Sequence, residues 1–324
     1  MVASTLNHPL NCPNNGVHLF METVNTKGLF IEVRQPSIAV SSTCFKERDL
    51  GRLLQHVRSE GFTDLELSGN IAYKAAPAVR GMLRKYRDVF RLQIHNYFPA
   101  PRCPFVLNMG HPDTALRTLR HCKKAVELCA DLGIRYYSVH AGMAFNPSPF
   151  DLGESQLHIK AFDFSESRKL MINGIVELAV YADRRGIGLL IENNVIADYN
   201  TVSGKNERYH FADSREAEIF ASLFRHPNIG ILLDVGHLKV SARTMGFDPV
   251  EFIGFCRDRI KAVHLSDNDG TEDQNLPFSE DAWFWSCVPW SGLEYVSLEL
   301  DPGYAGLLHG QRKLVADKLP ALTN

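Results

Sequence analysis

IGILLDVGH, residues 229–237, runs through apolar positions to an acid and, three residues further on, a histidine. Hydrophobicity that is continuous rather than alternating describes a short strand covered on both faces, as in a parallel sheet. Four more runs end on an acid or a histidine: IRYYSV before His140, GLLI before Glu192, IKAV before His264 and EYVSL before Glu299. A strand whose far end carries a metal-competent side chain, repeated along the chain, is what a parallel barrel with an ion site at one mouth requires.

Outward from that stretch the pattern extends to eight runs: SIAVSS, DLELS, RLQIHNYF, IRYYSVHA, IGLLIENN, IGILLDVG, KAVHLSD and YVSLELD. Helical spacing separates them. In residues 113–133, Asp113 suits an N-cap, Leu119, Cys122, Val126 and Cys129 form one stripe, and Gly133 suits a left-handed stop. Residues 213–226 open on Asp213 with Glu216, in the manner of a capping box, and end at the His226-Pro227 step. Strands alternating with helices predict an α/β fold, a (β/α)8 TIM barrel over residues 36–324; an open doubly wound sheet is the alternative that periodicity leaves standing. Residues 1–35 are read as a short N-terminal extension with a hairpin pattern in VHLFMETVNTKGLFIEV. Two long loops follow strands, Met143 to Ser165 and Asp267 to Glu280, and loops on that side of a barrel shape substrate sites.

Composition narrows the function. At 324 residues, with 45% hydrophobic and 22% charged residues, the chain can bury one large core. A net charge of -2 gives no general attraction to a polyanion. No stretch reaches the roughly 20 apolar residues of a membrane span, and the amino terminus lacks a basic region followed by an apolar block. The seven cysteines are scattered without a CxxC pair and read as reduced structural thiols. The expectation is a cytoplasmic protein that engages neither membrane nor nucleic acid; homo-oligomerisation is left open.

Glu192, Asp234, His264 and Glu299 supply three carboxylates and one imidazole. Such a mostly oxygen set suits one divalent ion, Mn²⁺, Zn²⁺, Co²⁺ or Mg²⁺, better than a thiolate-selected metal. His237, three residues past Asp234, completes the sphere or holds a substrate oxygen. His95 and His140 either contact substrate or form a second ion position with Glu192. A lone strand-end histidine is more often simply packed; recurrence with the βα period is what favours a site. Competing motifs are weak: the GxG at Gly186 and Gly188 runs into a strand instead of following one, and there is no phosphate loop or GxSxG elbow. Trp283, Trp285 and Trp290 form either a wall over a ligand or ordinary packing.

These motifs are familiar. Through IHNYF, YYSVHAG, LLIENN, LLDVGH, VHLSDNDGTEDQNLP and VSLEL, over about residues 36–302, the chain resembles the xylose isomerase-like barrel superfamily, which holds sugar and sugar-phosphate isomerases and epimerases together with endonuclease IV. The resemblance implies metal ligation by Glu192, Asp234, His264 and Glu299; His237 matches a residue that touches substrate in some members and binds a further zinc in the nuclease, and His95 and His140 match histidines holding another nuclease zinc. For a sugar enzyme His95, His140, His237 and Asn194 are read instead as substrate contacts. It implies a small sugar-like substrate whose proton next to a carbonyl is removed and returned by Glu192 and Glu299 through a metal-bound enediolate. Two alternatives come with it: endonuclease IV-like hydrolysis of phosphodiesters at abasic DNA sites, and a sugar-binding barrel without catalysis. Against the nuclease, the aspartate-x-histidine pair of its third zinc site stands here as Asp273-Gln274-Asn275.

Overall fold

All eight apolar runs become strands: β1 (Ser37–Ser41), β2 (Asp64–Leu67), β3 (Arg91–His95), β4 (Tyr136–His140), β5 (Gly188–Glu192), β6 (Ile229–Asp234), β7 (Ile260–Leu265) and β8 (Tyr295–Leu298). They pair in parallel, each with the next, and β8 pairs with β1 to close the barrel. Closure removes both sheet edges and excludes the open-sheet alternative. The structure, a computed structural model, describes residues 35–201, 204–224 and 226–323. The hairpin expected in the N-terminal extension lies outside the described residues.

Period-two pleating sorts each strand into outward and inward side chains. Outward residues such as Leu189, Ile191, Ile231, Leu233 and Val263 join the main core between sheet and helices. Inward, Leu190, Leu232, Ala262 and Tyr295 form a separate buried layer, with Tyr136 packed against it. Two residues along β5, β6 and β7, on that inward face, stand Glu192, Asp234 and His264, and the same step along β8 leads through Ser297 to Glu299. An apolar floor therefore carries a polar storey at the carboxyl ends of the strands. Two glycines make room for the floor: a Cβ on Gly188 would lie 2.5 Å from the Tyr136 ring, and one on Gly230 would lie 2.8 Å from a Leu190 methyl.

Around the barrel run α1 (Leu50–Ser59), α2 (Ala76–Tyr86), α3 (Pro112–Leu132), α4 (Phe164–Asp183), α5 (Ser214–Leu223), α6 (Val235–Met245), α7 (Pro249–Cys256) and α8 (Leu308–Thr323). The α3 stripe and its left-handed Gly133 stop are as expected, but the helix starts at Pro112 and its cap is His111, whose ring accepts from Asp113 N. Proline at the first helical position needs no amide partner, and the cap and start lie two residues upstream of the expected ones. For α5, Asp213 does cap Glu216 N; the Glu216 carboxylate does not reach back and pairs with Arg168 instead. Helix and strand do not alternate strictly. Two helices, α6 and α7, follow β6, whereas β7 is followed by a loop with one short 3₁₀ turn, Trp283–Ser286.

That loop answers the question for two of the three tryptophans. Trp285 and Trp290 are buried with centroids 5.2 Å apart, and both indole N–H groups donate to backbone carbonyls, Ser279 O and Trp285 O. They border a surface hollow with Ile260 and Lys261, at the start of β7 and away from the carboxyl ends of the strands. Here they pack, filling the place of the missing helix. No helix among the described residues is long and apolar enough to cross a membrane, and the six cysteines among them are unpaired.

Replacing Gly188 by alanine forces the new methyl into the Tyr136 ring and should lower the unfolding free energy by about 1–3 kcal/mol in urea titrations. Gly254→Ala, in α7 with nothing within 4 Å of the new Cβ, should be neutral or stabilising by up to about 1 kcal/mol in the same assay.

Candidate metal centre

Four strand ends bring Glu192, Asp234, His264 and Glu299 together, with one donor atom from each lying within 4.8 Å of the others. His264 is the hub. Its Nδ1 stands 2.7 Å from Glu299 Oε2, 3.3 Å from Glu192 Oε1 and 3.6 Å from Asp234 Oδ2. Donors about 2.1 Å from a shared ion lie at most about 4.2 Å apart, so the set needs only small side-chain shifts to close on one.

Each ligand candidate is held by a specific local device. Asp234 ends β6 and caps α6: its Oδ1 accepts from His237 N at 2.7 Å, while Oδ2 is left facing His264. The helix-cap reading and the metal-ligand reading of this aspartate thus apply to different oxygens of one carboxylate. Asn193 clamps the same backbone, accepting from Asp234 N at 2.8 Å and donating to Asp234 O at 3.0 Å. Its own carbonyl meets His237 Nδ1 at 2.9 Å. If Nδ1 donates there, His237 Nε2 is the atom turned to Asp273 Oδ2, 3.3 Å away. Glu299 Oε1 accepts from Thr43 Oγ1 at 3.1 Å, which ties β8 to the turn after β1.

The remaining histidines gather on the second oxygen of Glu192. His95 Nε2 lies 3.3 Å and His140 Nδ1 3.2 Å from Glu192 Oε2, and Ser138 Oγ fixes the far side of the His95 ring at 2.9 Å. Two further three-residue groups are compact enough for an ion, His95 with Glu192 and His264, and His140 with Glu192 and His237. Asn194 is turned elsewhere: its amide donates to the carbonyls of Gly142 and His210, joining the loops after β4 and β5.

Sequence reading missed three residues that matter here. Glu66, inside β2, is fully buried and puts Oε1 2.9 Å from His264 Nε2. A charged residue in a strand covered on both faces was the available signal. Asn193 and Thr43 left none, because their partners are set by the turn geometry and by barrel closure.

Electrostatics follow from crowding acids where water is excluded. Burial lowers the His264 pKa, but Glu66 and Glu299 outweigh it and hold the imidazolium well above the usual histidine range. For His237 burial is likewise overcome, by Asp234 and Asp273. Burial pushes Glu192 up to about 7 despite His264. It opposes the ionised form of Glu299 as well, but His264 wins and the carboxyl is lowered. His95, buried and facing the His264 charge, falls to about 3.

The residues fit a divalent cation on two counts. Glu192 Oε2, His264 Nδ1 and His140 Nδ1 are buried with neighbours 2.7–3.3 Å away, none of them aligned for a hydrogen bond, and such atoms are costly unless something satisfies them. The donor set is carboxylate oxygen with imidazole nitrogen, the chemistry of hard to borderline ions.

Residues 54–306 match the family model described as xylose isomerase-like TIM barrel, and the chain belongs to that family. No curated protein matches by sequence. Among solved structures, the fold is similar to a D-tagatose 3-epimerase-like protein (TM-score 0.61, 20% identity, 87% of this chain and 99% of that one). It is similar also to 3-keto-D-glucoside 4-epimerase from E. coli (0.60, 14%, 88% and 99%) and to D-psicose 3-epimerase from Clostridium cellulolyticum H10 (0.60, 12%, 89% and 100%).

Metal uptake should depend on pH with a definite sign. Without the ion, the raised pKa values of Glu192 and His264 keep both protonated at pH 6, whereas ligation needs both deprotonated. Calorimetric titration with Mn²⁺ or Zn²⁺ should show proton release and an apparent affinity that rises from pH 6 to pH 8. Asp234→Asn, which keeps the cap and removes the ligand charge, should lower the metal retained after dialysis, read by elemental analysis.

Proposed function

We propose that this member of the xylose isomerase-like family is a divalent-metal-dependent isomerase or epimerase of a sugar or sugar-derived substrate. The convergence of three carboxylates and His264 at the carboxyl ends of β5 to β8, around buried atoms without an aligned hydrogen bond, is the observation that carries the reading. The fold likeness to structures named as sugar epimerases supports the substrate class.

Glu192, Asp234, His264 and Glu299 would hold the ion, which when bound supplies Lewis-acid polarisation of a substrate carbonyl and so acidifies the neighbouring C–H. Glu299, the most exposed of the four with 17% of its side chain open, would take that proton. Glu192, reached through β5 from another side of the barrel, would deliver a proton to the opposite face or to the adjacent carbon. His140 and His237, partly open beside Glu192, would orient substrate hydroxyls, and the deeper His95 would do so through the Glu192 oxygen they share.

A phosphodiesterase reading finds less support at the rim. Tyr199, in the loop after β5, has its phenol raised by burial and by Glu272, Glu154 and Asp273, so the loops after β4 and β7 bring negative charge beside it. Such a rim repels a polyanion.

Glu192→Gln and Glu299→Gln should each lower turnover by about 10²-fold or more while unfolding curves stay within about 1 kcal/mol of the parent. The assay is solvent-deuterium incorporation next to the carbonyl, followed by NMR across a panel of ketoses and keto-glycosides with Mn²⁺. Near-parental rates would remove that glutamate from proton transfer. Efficient incision of an abasic duplex with added Zn²⁺ would replace the reading by the hydrolase, and sugar binding indifferent to metal would replace it by a non-catalytic barrel.

A further inference from the structure

Beneath the ligand set lies a carboxylate that the reaction does not use. Glu66 points inward from β2, with neither of its oxygens reaching solvent and no hydrogen bond to any group other than the His264 ring that it abuts. Its partners in the sheet are Ser41 on β1 and Gln93 on β3. No Lys or Arg pairs with it among the described residues. The cationic group it faces is the ring of His264, whose Nε2 is 2.9 Å from Oε1. A carboxylate shut away from water next to an imidazole is a costly arrangement unless it acts on that ring.

The His264 ring is divided between two surroundings. On the Nδ1 side stand Glu299, Glu192 and Asp234; on the Nε2 side stands Glu66. A neutral imidazole carries one proton, and the nitrogen that keeps it cannot ligate. A carboxylate beside one nitrogen fixes the proton there, orients the ring, and raises the donor strength of the other nitrogen.

We propose that Glu66 is a positioning residue that keeps the His264 proton on Nε2 and so presents Nδ1 to a divalent cation held by Glu192, Asp234 and Glu299. The inference rests on the metal-site reading above and extends it to a strand that contributes no ligand. It accounts for a charged residue buried in mid-strand, and for a ring that faces carboxylates on both of its edges.

The test compares Glu66→Gln and Glu66→Leu with the parent in the full-length protein, by calorimetric titration with Zn²⁺ and Mn²⁺ in the absence of any sugar. Glu66→Leu should weaken metal binding about 10–100-fold, and Glu66→Gln, which keeps an acceptor without the charge, should fall between Leu and the parent. A merely structural role would not move the second readout: ¹⁵N spectra of the Zn²⁺-loaded, ¹⁵N-histidine-labelled protein. In the parent, His264 should show a protonated Nε2 and a metal-shifted Nδ1, and in Glu66→Leu that pattern should weaken or be lost. Affinities within about three-fold of the parent, or an unchanged His264 pattern in folded Glu66→Leu, overturn the inference and leave the catalytic reading intact. A parent protein that binds neither ion overturns both.

Discussion

Four carboxylates crowd one imidazole in a place that water barely reaches. Two carboxylates 4 Å apart repel by about 4 kcal/mol at an effective dielectric constant of 20, and Glu66, Glu192, Asp234 and Glu299 all lie within 3.6 Å of His264. The cluster is tolerable only with positive charge in its midst. Alone, the protein provides that charge by protonating His264 and His237 and by leaving Glu192 on the edge of neutrality. A divalent ion does the same without occupying the nitrogen and oxygen lone pairs with protons. The chemistry of the site and the titration of its residues are therefore one balance seen from two directions.

Holding such a cluster against its own repulsion falls to the backbone. Barrel closure fixes where the strand ends meet, and a small number of hydrogen bonds fix how the side chains emerge. Asn193 is the clearest case: with one amide it clamps both backbone groups of Asp234, and with its carbonyl it meets the His237 ring. The two long loops are tied down in the same style. Asn108 bonds the carbonyls of Met143 and Phe145, Arg208 bonds those of Gln156 and Ile159, and Asp267 pairs with Leu276 across its loop. The walls above the cluster are fixed by these polar contacts to backbone together with a small apolar cluster of Met143, Phe145, Ile196, Tyr209 and Ala212.

Much of this was written in the sequence in a form that periodicity can read. Strand existence and type followed from continuous apolar runs, and the terminal acids and histidines were legible because each stands where its run stops. What escaped has physical reasons. Glu66 sits within a run instead of at its end, and only the closed sheet turns it toward a histidine that follows nearly two hundred residues later. The absent helix after β7 was hidden because tryptophan packing replaced it, and aromatic burial has no period of its own. Asn194, part of a motif that looked like a substrate contact, has its amide committed to two loop carbonyls that no linear pattern reveals.

The apolar floor has one more consequence. Leu190, Leu232, Ala262 and Tyr295 close the barrel just below the candidate ligands, and Gly188 beside Tyr136 and Gly230 beside Leu190 leave room for that layer. A vessel stoppered at its base has one doorway. Whatever enters must depart by the way it came, so a leaving molecule and the next arrival share one threshold.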